Sequence, residues 1–463
     1  MNTQRKEALL MPRIVVVFGV SILILAMVMM TIVFIPREAL LPEHANVLAI
    51  ADEDEEVNKK KFSWLKDTSD VTLSWYIHAP WYSKTWDALR TLYDMTVTNI
   101  TGVNLEIIVP PGTGDEKLIA MTLSGEMPDI MTIDNWNKVR QQMISNGYFL
   151  ALDTLAVKYS PELLDFVPES MKLWNTQSDG HWYAISSFFT APELLTEDSR
   201  IDNANGIIAR KDLMLKLGIT PEDFNTKDGV IEALKLVYRS ELTNDEKRVL
   251  PICLDWNDWV LSRMWGIPWE SSDGSFQHYK THPNYVDIYV FLNKLWREGL
   301  LTKDNLTVWA GEKISQGVCF SFIGNIDAIH SSMKELYRQD DDALYVPVGP
   351  IIVSDKYKPV FDQSGTGWMS TFITSETEHP DRAVRLLSFM LSEEGQILNW
   401  FGIEGQTFEW VDGRIRYTDD YMSLRLEDQA LAQEIYGFEE FWPLKQQNLY
   451  TKYMKKEELD PFA

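Results

Sequence analysis

Apolar positions along this chain follow two alternating periods. Val71-Thr-Leu-Ser-Trp-Tyr-Ile77 reads as a strand. Trp86, Leu89, Tyr93, Val97 and Ile100 then recur at helical spacing and stop at Gly102, a residue suited to the left-handed turn that closes a helix. Residues 103–109 predict a second strand, 116–124 a second helix closed by Gly125, and 128–134 a third strand. Strand, helix, strand, helix, strand with short connections is the signature of an open α/β sheet.

The alternation resumes downstream. Residues 206–210 read as a strand, and 211–217 as a helix ending at Gly218. Thr220-Pro-Glu-Asp223 has the form of a capped helix start. Strands are expected at 250–256, 317–324 and 367–374, a helix at 286–298, and another opening at Pro380. No repeat of 20–50 residues is visible. The pattern predicts an α/β protein of two similar lobes, with the chain crossing between them more than once. The expected division is about 67–185 plus 325–375 for the first lobe, and about 186–324 plus 376–463 for the second.

One stretch breaks the pattern. Ile14 to Ile35 carries no charged side chain, which as a helix gives about 33 Å, enough to cross a bilayer core. Arg5, Lys6 and Arg13 precede it, while Glu38, Glu43 and the run Asp52 to Glu56 follow. The positive-inside rule puts residues 1–13 in the cytosol and the bulk of the chain outside the cell membrane. The stretch is longer than a signal-peptide core, and the A-x-A at Ala49-Ile-Ala51 lies well beyond it, so an uncleaved single-pass anchor is expected. Residues 36–66 read as a polar, acidic stalk, and 67–463 as a binding body.

Charge narrows the function. The net charge of −25 has its acidic excess after the apolar stretch, which excludes a generic nucleic-acid binder because phosphate binding needs a basic stripe. Two cysteines make no disulfide framework; Cys253 and Cys319 lie in strand-like runs and are expected as buried free thiols. Pro110-Pro-Gly-Thr-Gly-Asp115 lacks a P-loop frame. His278 and His282 lack the glutamate of a zinc-protease motif and are followed by Pro283, so a loop is expected there. Asp340-Asp-Asp342 lacks EF-hand spacing. Neither a cofactor nor a metal is expected.

Several segments, in order, carry a resemblance. They are Leu123-Ser-Gly-Glu-Met-Pro-Asp-Ile130, Ile207-Ile-Ala-Arg-Lys-Asp-Leu213 with Gly218, Leu292-Asn293 through Glu298-Gly-Leu300, and Pro347-Val-Gly-Pro350. Last comes Pro380 with Ser392-Glu-Glu-Gly-Gln396 and Phe401-Gly-Ile-Glu-Gly405. Residues 70–460 thereby resemble the extracellular solute-binding proteins of bacterial ABC importers, sugar-binding type, in the branch of LplA-like lipoproteins. The resemblance implies a monomeric, non-enzymatic protein of periplasmic-binding-protein-like (type II) fold, which closes on a carbohydrate and presents it to permease subunits. The family's lipidated cysteine is missing near residue 35, since the first cysteine is Cys253.

Ligands of open α/β sheets bind beyond the carboxyl ends of the strands. The residues at those ends are His78, Trp81 and Tyr82; Asp134, Asn135 and Trp136; Asp255, Trp256, Asp258 and Trp259; Asn325; and Trp368, which opens a strand. Indole beside carboxylate or amide suits a sugar, whose C–H face packs on the ring while its hydroxyls meet the polar groups. Two rival readings use the same residues: an anchored glycoside hydrolase with Asp255 and Asp258 as its carboxylates, and a tethered sensor or presenter to a membrane partner.

Overall fold

The computed structural model describes residues 62–454 except 113, 197–198, 200–204, 256–257 and 361–364. The expected anchor at Ile14–Ile35 and most of the stalk lie outside the described residues. Among the described residues no helix is long and apolar enough to cross a membrane.

The strands, in chain order, are β1 (Val71–Ile77), β2 (Val103–Ile108), β3 (Ile130–Asp134), β4 (Ile185–Ser186), β5 (Asn205–Arg210), β6 (Thr243–Asn244) and β7 (Lys247–Arg248). They continue with β8 (Leu250–Leu254), β9 (Cys319–Asn325), β10 (Tyr345–Val348), β11 (Met369–Ile373), β12 (Phe408–Val411) and β13 (Arg414–Tyr417). Two sheets organise the molecule, ordered β2-β1-β3-β11-β4 and β10-β5-β9-β8, and β6-β7 and β12-β13 form small ribbons. Each large sheet has its own apolar core. Tyr76, Met131, Ile133 and Phe372 belong to one, and Ile207, Leu254, Phe320 and Ile323 to the other.

Local chemistry sets the element ends. Gly102 closes the helix Leu92–Thr101 at φ 70°, its amide bonding Thr98 O, and a Cβ there would sit 2.2 Å from Thr68 O. Thr220 and Asp223 form the reciprocal capping box, here on a 3-10 turn at Pro221–Asn225 that leads into the helix Lys227–Ser240. The helix predicted from Trp86 begins only at Leu92. Thr91 is extended, Leu89 is exposed, and Trp86 packs edge-on against Tyr93 and Phe441 from an irregular segment.

The division between lobes differs from the expected one. β10 pairs with β5 in the second sheet, so residues up to 348 stay with that lobe. The helix after β11 packs on the first lobe. In the helix Pro380–Leu391, Val384, Leu387 and Met390 are buried, and Arg382 reaches Thr101 O at 2.8 Å. Gln446 reaches back to Ser186 O at 3.0 Å. A helix with so wide an apolar face goes to the nearest uncovered sheet face, and that is the first lobe's. Cys253 and Cys319 are both buried and free.

The crossings define the cleft. The chain leaves β4 for β5 and returns from β10 to β11. In the first sheet β11 runs antiparallel to both β3 and β4, so β4 ends and β11 begins at the edge where Asp134 lies opposite Met369. In the second sheet Asn205 starts β5 opposite Asn325, and Val348 ends β10 opposite Ile207. Both connections therefore join the carboxyl edge of β3 to the carboxyl edge of β9.

Candidate functional site

On the first lobe, four indoles gather at the strand edge. The Trp81 ring lies 6.0 Å from Trp368 and 5.7 Å from Trp442, at interplanar angles of 20° and 25°. Trp368 is 4.7 Å from Trp442 and 6.4 Å from Trp136. Trp81 and Trp136 are 64% and 70% exposed, so two large apolar side chains stand open to solvent. Exposed indole is uncommon on an ordinary surface, and aligned rings give a flat platform for the C–H face of a pyranose.

Other residues of the same edge hold that platform. Asn135 donates from its backbone to Trp368 O (2.9 Å) and from Nδ2 to Gly367 O (3.2 Å), while its Oδ1 accepts from Ser370 (2.6 Å). Its hydrogen-bonding capacity is spent on fixing the start of β11, and hence the backbone of Trp368. Tyr82 is buried, edge-on to Trp442 at 5.4 Å, and its hydroxyl has no partner. Both residues support the indoles from behind.

His78 is buried beside them. Its Nδ1 lies 2.8 Å from the Tyr76 hydroxyl, and its Nε2 lies 3.3 Å from Asp115 and 3.6 Å from Asp134. Burial, then the charges of Asp115 and Asp134, push the Tyr76 phenol well up, so it stays a neutral hydroxyl. Asp134 Oδ1 is buried with no hydrogen-bond partner. An acceptor left so is costly in a folded protein.

The second lobe presents a different surface. Asp255 follows β8, its backbone bonded to Ile323 O, and packs over Gly324, where a Cβ would lie 2.5 Å from its own. Asn325 caps the following turn, accepting from the Ala328 amide at 3.2 Å. Trp256 lies outside the described residues. Asp258 opens the helix Asp258–Met264 and collects hydroxyls from Tyr279 (2.7 Å), Tyr289 (3.3 Å) and, in a very short contact, Tyr285. Lys280 Nζ stands 3.4 Å away. Burial opposes ionisation of this carboxyl. The Tyr285, Tyr279 and Lys280 hydrogen bonds and the Lys280 charge outweigh it, so its pKa falls below the usual range. Asp255, Asp258, Lys280 and Tyr289 share a cavity of about 130 Å³ with apolar neighbours.

Sequence reasoning did not single out Trp442, Tyr279, Tyr285, Tyr289 or Lys280. Tyr279 sits between His278 and His282, where the structure has the expected loop, a short 3-10 turn at Tyr279–Thr281 capped by His278, while Tyr285 and Tyr289 sit on the helix Tyr285–Arg297. Among the described residues, Asp340 to Asp342 form the sole group whose ligand atoms approach closely enough to hold an ion, and all three are exposed.

Comparisons place the fold among known proteins. No family model matches the chain. A curated relative, lipoprotein LipO of Bacillus subtilis, is 25% identical over 359 residues, covering 72% of this chain and 67% of that one. The solved alginate-binding protein AlgQ2 superposes with a TM-score of 0.63 at 18% identity, over 85% of this chain and 82% of its own. The Streptococcus pneumoniae ABC-transporter substrate-binding protein FusA, in complex with kestose, gives 0.58 at 17% identity, over 83% and 85%. An HMO-binding, ABC-transporter-associated solute-binding protein from Bifidobacterium longum infantis gives 0.57 at 17%, over 83% and 81%. The chain has the two-lobed, periplasmic-binding-protein-like fold of these structures.

Proposed function

We propose that this protein is an extracellular solute-binding protein, tethered by its N-terminal apolar stretch, that captures an oligosaccharide between its lobes and delivers it to an ABC permease. The observation that carries the reading is the indole platform of Trp81, Trp136, Trp368 and Trp442 gathered at the carboxyl edge of the first sheet. The alginate-, kestose- and HMO-linked names of the structural relatives agree with it, as does the ordered set of sequence motifs. The ligand's rings stack on the first lobe, and its outer hydroxyls meet Asp134 on that lobe and Asp255, Asp258 and Asn325 on the second. Closure follows when the ligand makes more contacts in the closed state than in the open one. The missing lipidated cysteine leaves Ile14–Ile35 as the tether, with the protein acting as a monomer.

Binding without catalysis fits the carboxylates. A glycosidase acid must hold its proton near neutral pH, which requires a raised pKa; Asp258 is shifted the other way. The test is a panel of neutral saccharides scored by melting temperature and by radius of gyration. A bound sugar raises the first and shrinks the second. If no saccharide moves either quantity, the transport reading is lost. Tethering is checked separately: full-length protein stays with alkali-washed membranes, and its release into the wash contradicts an uncleaved anchor.

A further inference from the structure

We propose that a polar groove beside the indole platform holds the continuation of the same carbohydrate, and that it selects long, uncharged chains. The inference rests on the carbohydrate reading above and extends it to chain length and charge. The groove has a volume of about 870 Å³, room for more than one sugar ring. Its walls are residues 83–91 and 427–440 of the first lobe, and Arg338 reaches in from the second.

Continuity with the platform follows from the backbone. Trp81, exposed in the turn that Tyr82 N closes on Ala79 O, is followed by exposed Ser83 and Thr85, which alternate with buried Tyr82 and Lys84. Ser83 and Thr85 line the groove. On the opposite wall Glu440 stands two residues before Trp442, whose ring is 5.7 Å from Trp81. Two extended residues reach at most about 7 Å, so the groove opens directly beside the indoles.

The lining chemistry defines the ligand. Ser83, Thr85, Gln429 and Gln433 offer neutral donors and acceptors, and the Oε1 of Gln433 is buried without a partner while its Nε2 donates to Glu439 at 2.9 Å. Every cation among the described lining residues already meets a carboxylate. Lys84 pairs with Asp94 at 2.7 Å, Arg90 with Asp87 at 3.4 Å, and Arg338 with Glu335 at 3.6 Å. Glu427, Asp428, Glu434 and Glu440 add negative charge to the walls. Hydroxyls of a neutral glycan find partners here, whereas a uronate chain meets like charge.

The experiment is calorimetric titration of the protein with neutral gluco- and fructo-oligosaccharides of about two to six units, and with oligogalacturonates of the same lengths. Affinity is expected to rise at least about tenfold between about two and five units, with oligogalacturonates at least about tenfold weaker. Ala430→Leu fills the groove from an exposed wall position. It should flatten the rise with length and leave disaccharide affinity unchanged. Length-independent affinity, equal binding of the uronates, or an Ala430→Leu variant that weakens all lengths alike overturns the proposal. Trp81→Ala separates the two readings: loss at every length supports the platform, and full retention removes the platform reading and this inference with it.

Discussion

The two lobes meet the cleft with opposite chemistry. The first shows stacked, exposed carbon: Trp81 and Trp136 stand open, backed by Trp368 and Trp442. The second shows oxygen and charge, with three tyrosine hydroxyls and an ammonium converging on Asp258. The first face keeps its binding capacity in reserve, since Trp81 and Trp136 stay more than half exposed while stacked on their neighbours. The second has spent much of its own internally, since a ligand hydroxyl must share Asp258 with groups already bound. Affinity is therefore expected to come mainly from the first lobe, and the second to contribute orientation and closure.

The largest test of that asymmetry removes the rings. Trp81→Ala with Trp368→Ala should weaken oligosaccharide binding by about 100-fold, the scale of a well-placed aromatic anchor. Titration calorimetry reads it, and a loss under threefold would sink the idea that the first lobe dominates. Next comes Asp258→Asn. Hydrogen bonds to an ionised group contribute about 1.5–3 kcal/mol, so the second lobe should lose about 2 kcal/mol of stability, measured by denaturant unfolding at neutral pH. Binding should change far less than in the tryptophan variant.

The same residue makes a pH prediction. A carboxyl whose folded pKa lies below its unfolded value of 3.8 contributes stability that is complete above that value and is lost as pH falls through the folded one. Wild type should thus lose more melting temperature than Asp258→Asn below about pH 4. Equal slopes for the two proteins in that range would show that the carboxylate is not held by its tyrosines.

Smaller effects probe the scaffold behind the rings. Asn135→Ala removes two side-chain bonds that fix the start of β11, and should cost about 1–2 kcal/mol while loosening Trp368 enough to reduce binding severalfold. Unchanged affinity would mean that the platform holds itself. Smallest of all is Tyr82→Phe. The buried hydroxyl has no partner, so its removal should be neutral or slightly stabilising. A clear destabilisation would reveal a bound water or a ligand contact at that oxygen.

The part of this that could be read beforehand is the part encoded locally. Gly102, Gly125, Gly218 and Pro380 mark helix ends through their own backbone preferences, and each was legible as written. The strand-end rule led to Trp81, Trp136 and Trp368 because strand ends follow from short-range patterning. It did not reach Trp442, which arrives in an irregular segment with no strand before it. Nor could it see that Tyr82 and Asn135 turn inward, because burial is decided by neighbours far away in sequence. The Asp258 network joins residues 21, 27 and 31 positions apart, beyond any local period. The lobe assignment of 376–454 was illegible for a related reason: an amphipathic helix states that it covers a sheet, not which one.

The central claim is that stacked indoles on the first lobe hold a carbohydrate. Its most direct measurement is a calorimetric titration of a neutral pentasaccharide into wild type and into the Trp81→Ala, Trp368→Ala double variant, both shown folded by their unfolding curves. Saturable binding to wild type with a loss of about 100-fold in the variant is the predicted result. Equal affinity in the two proteins would contradict the account.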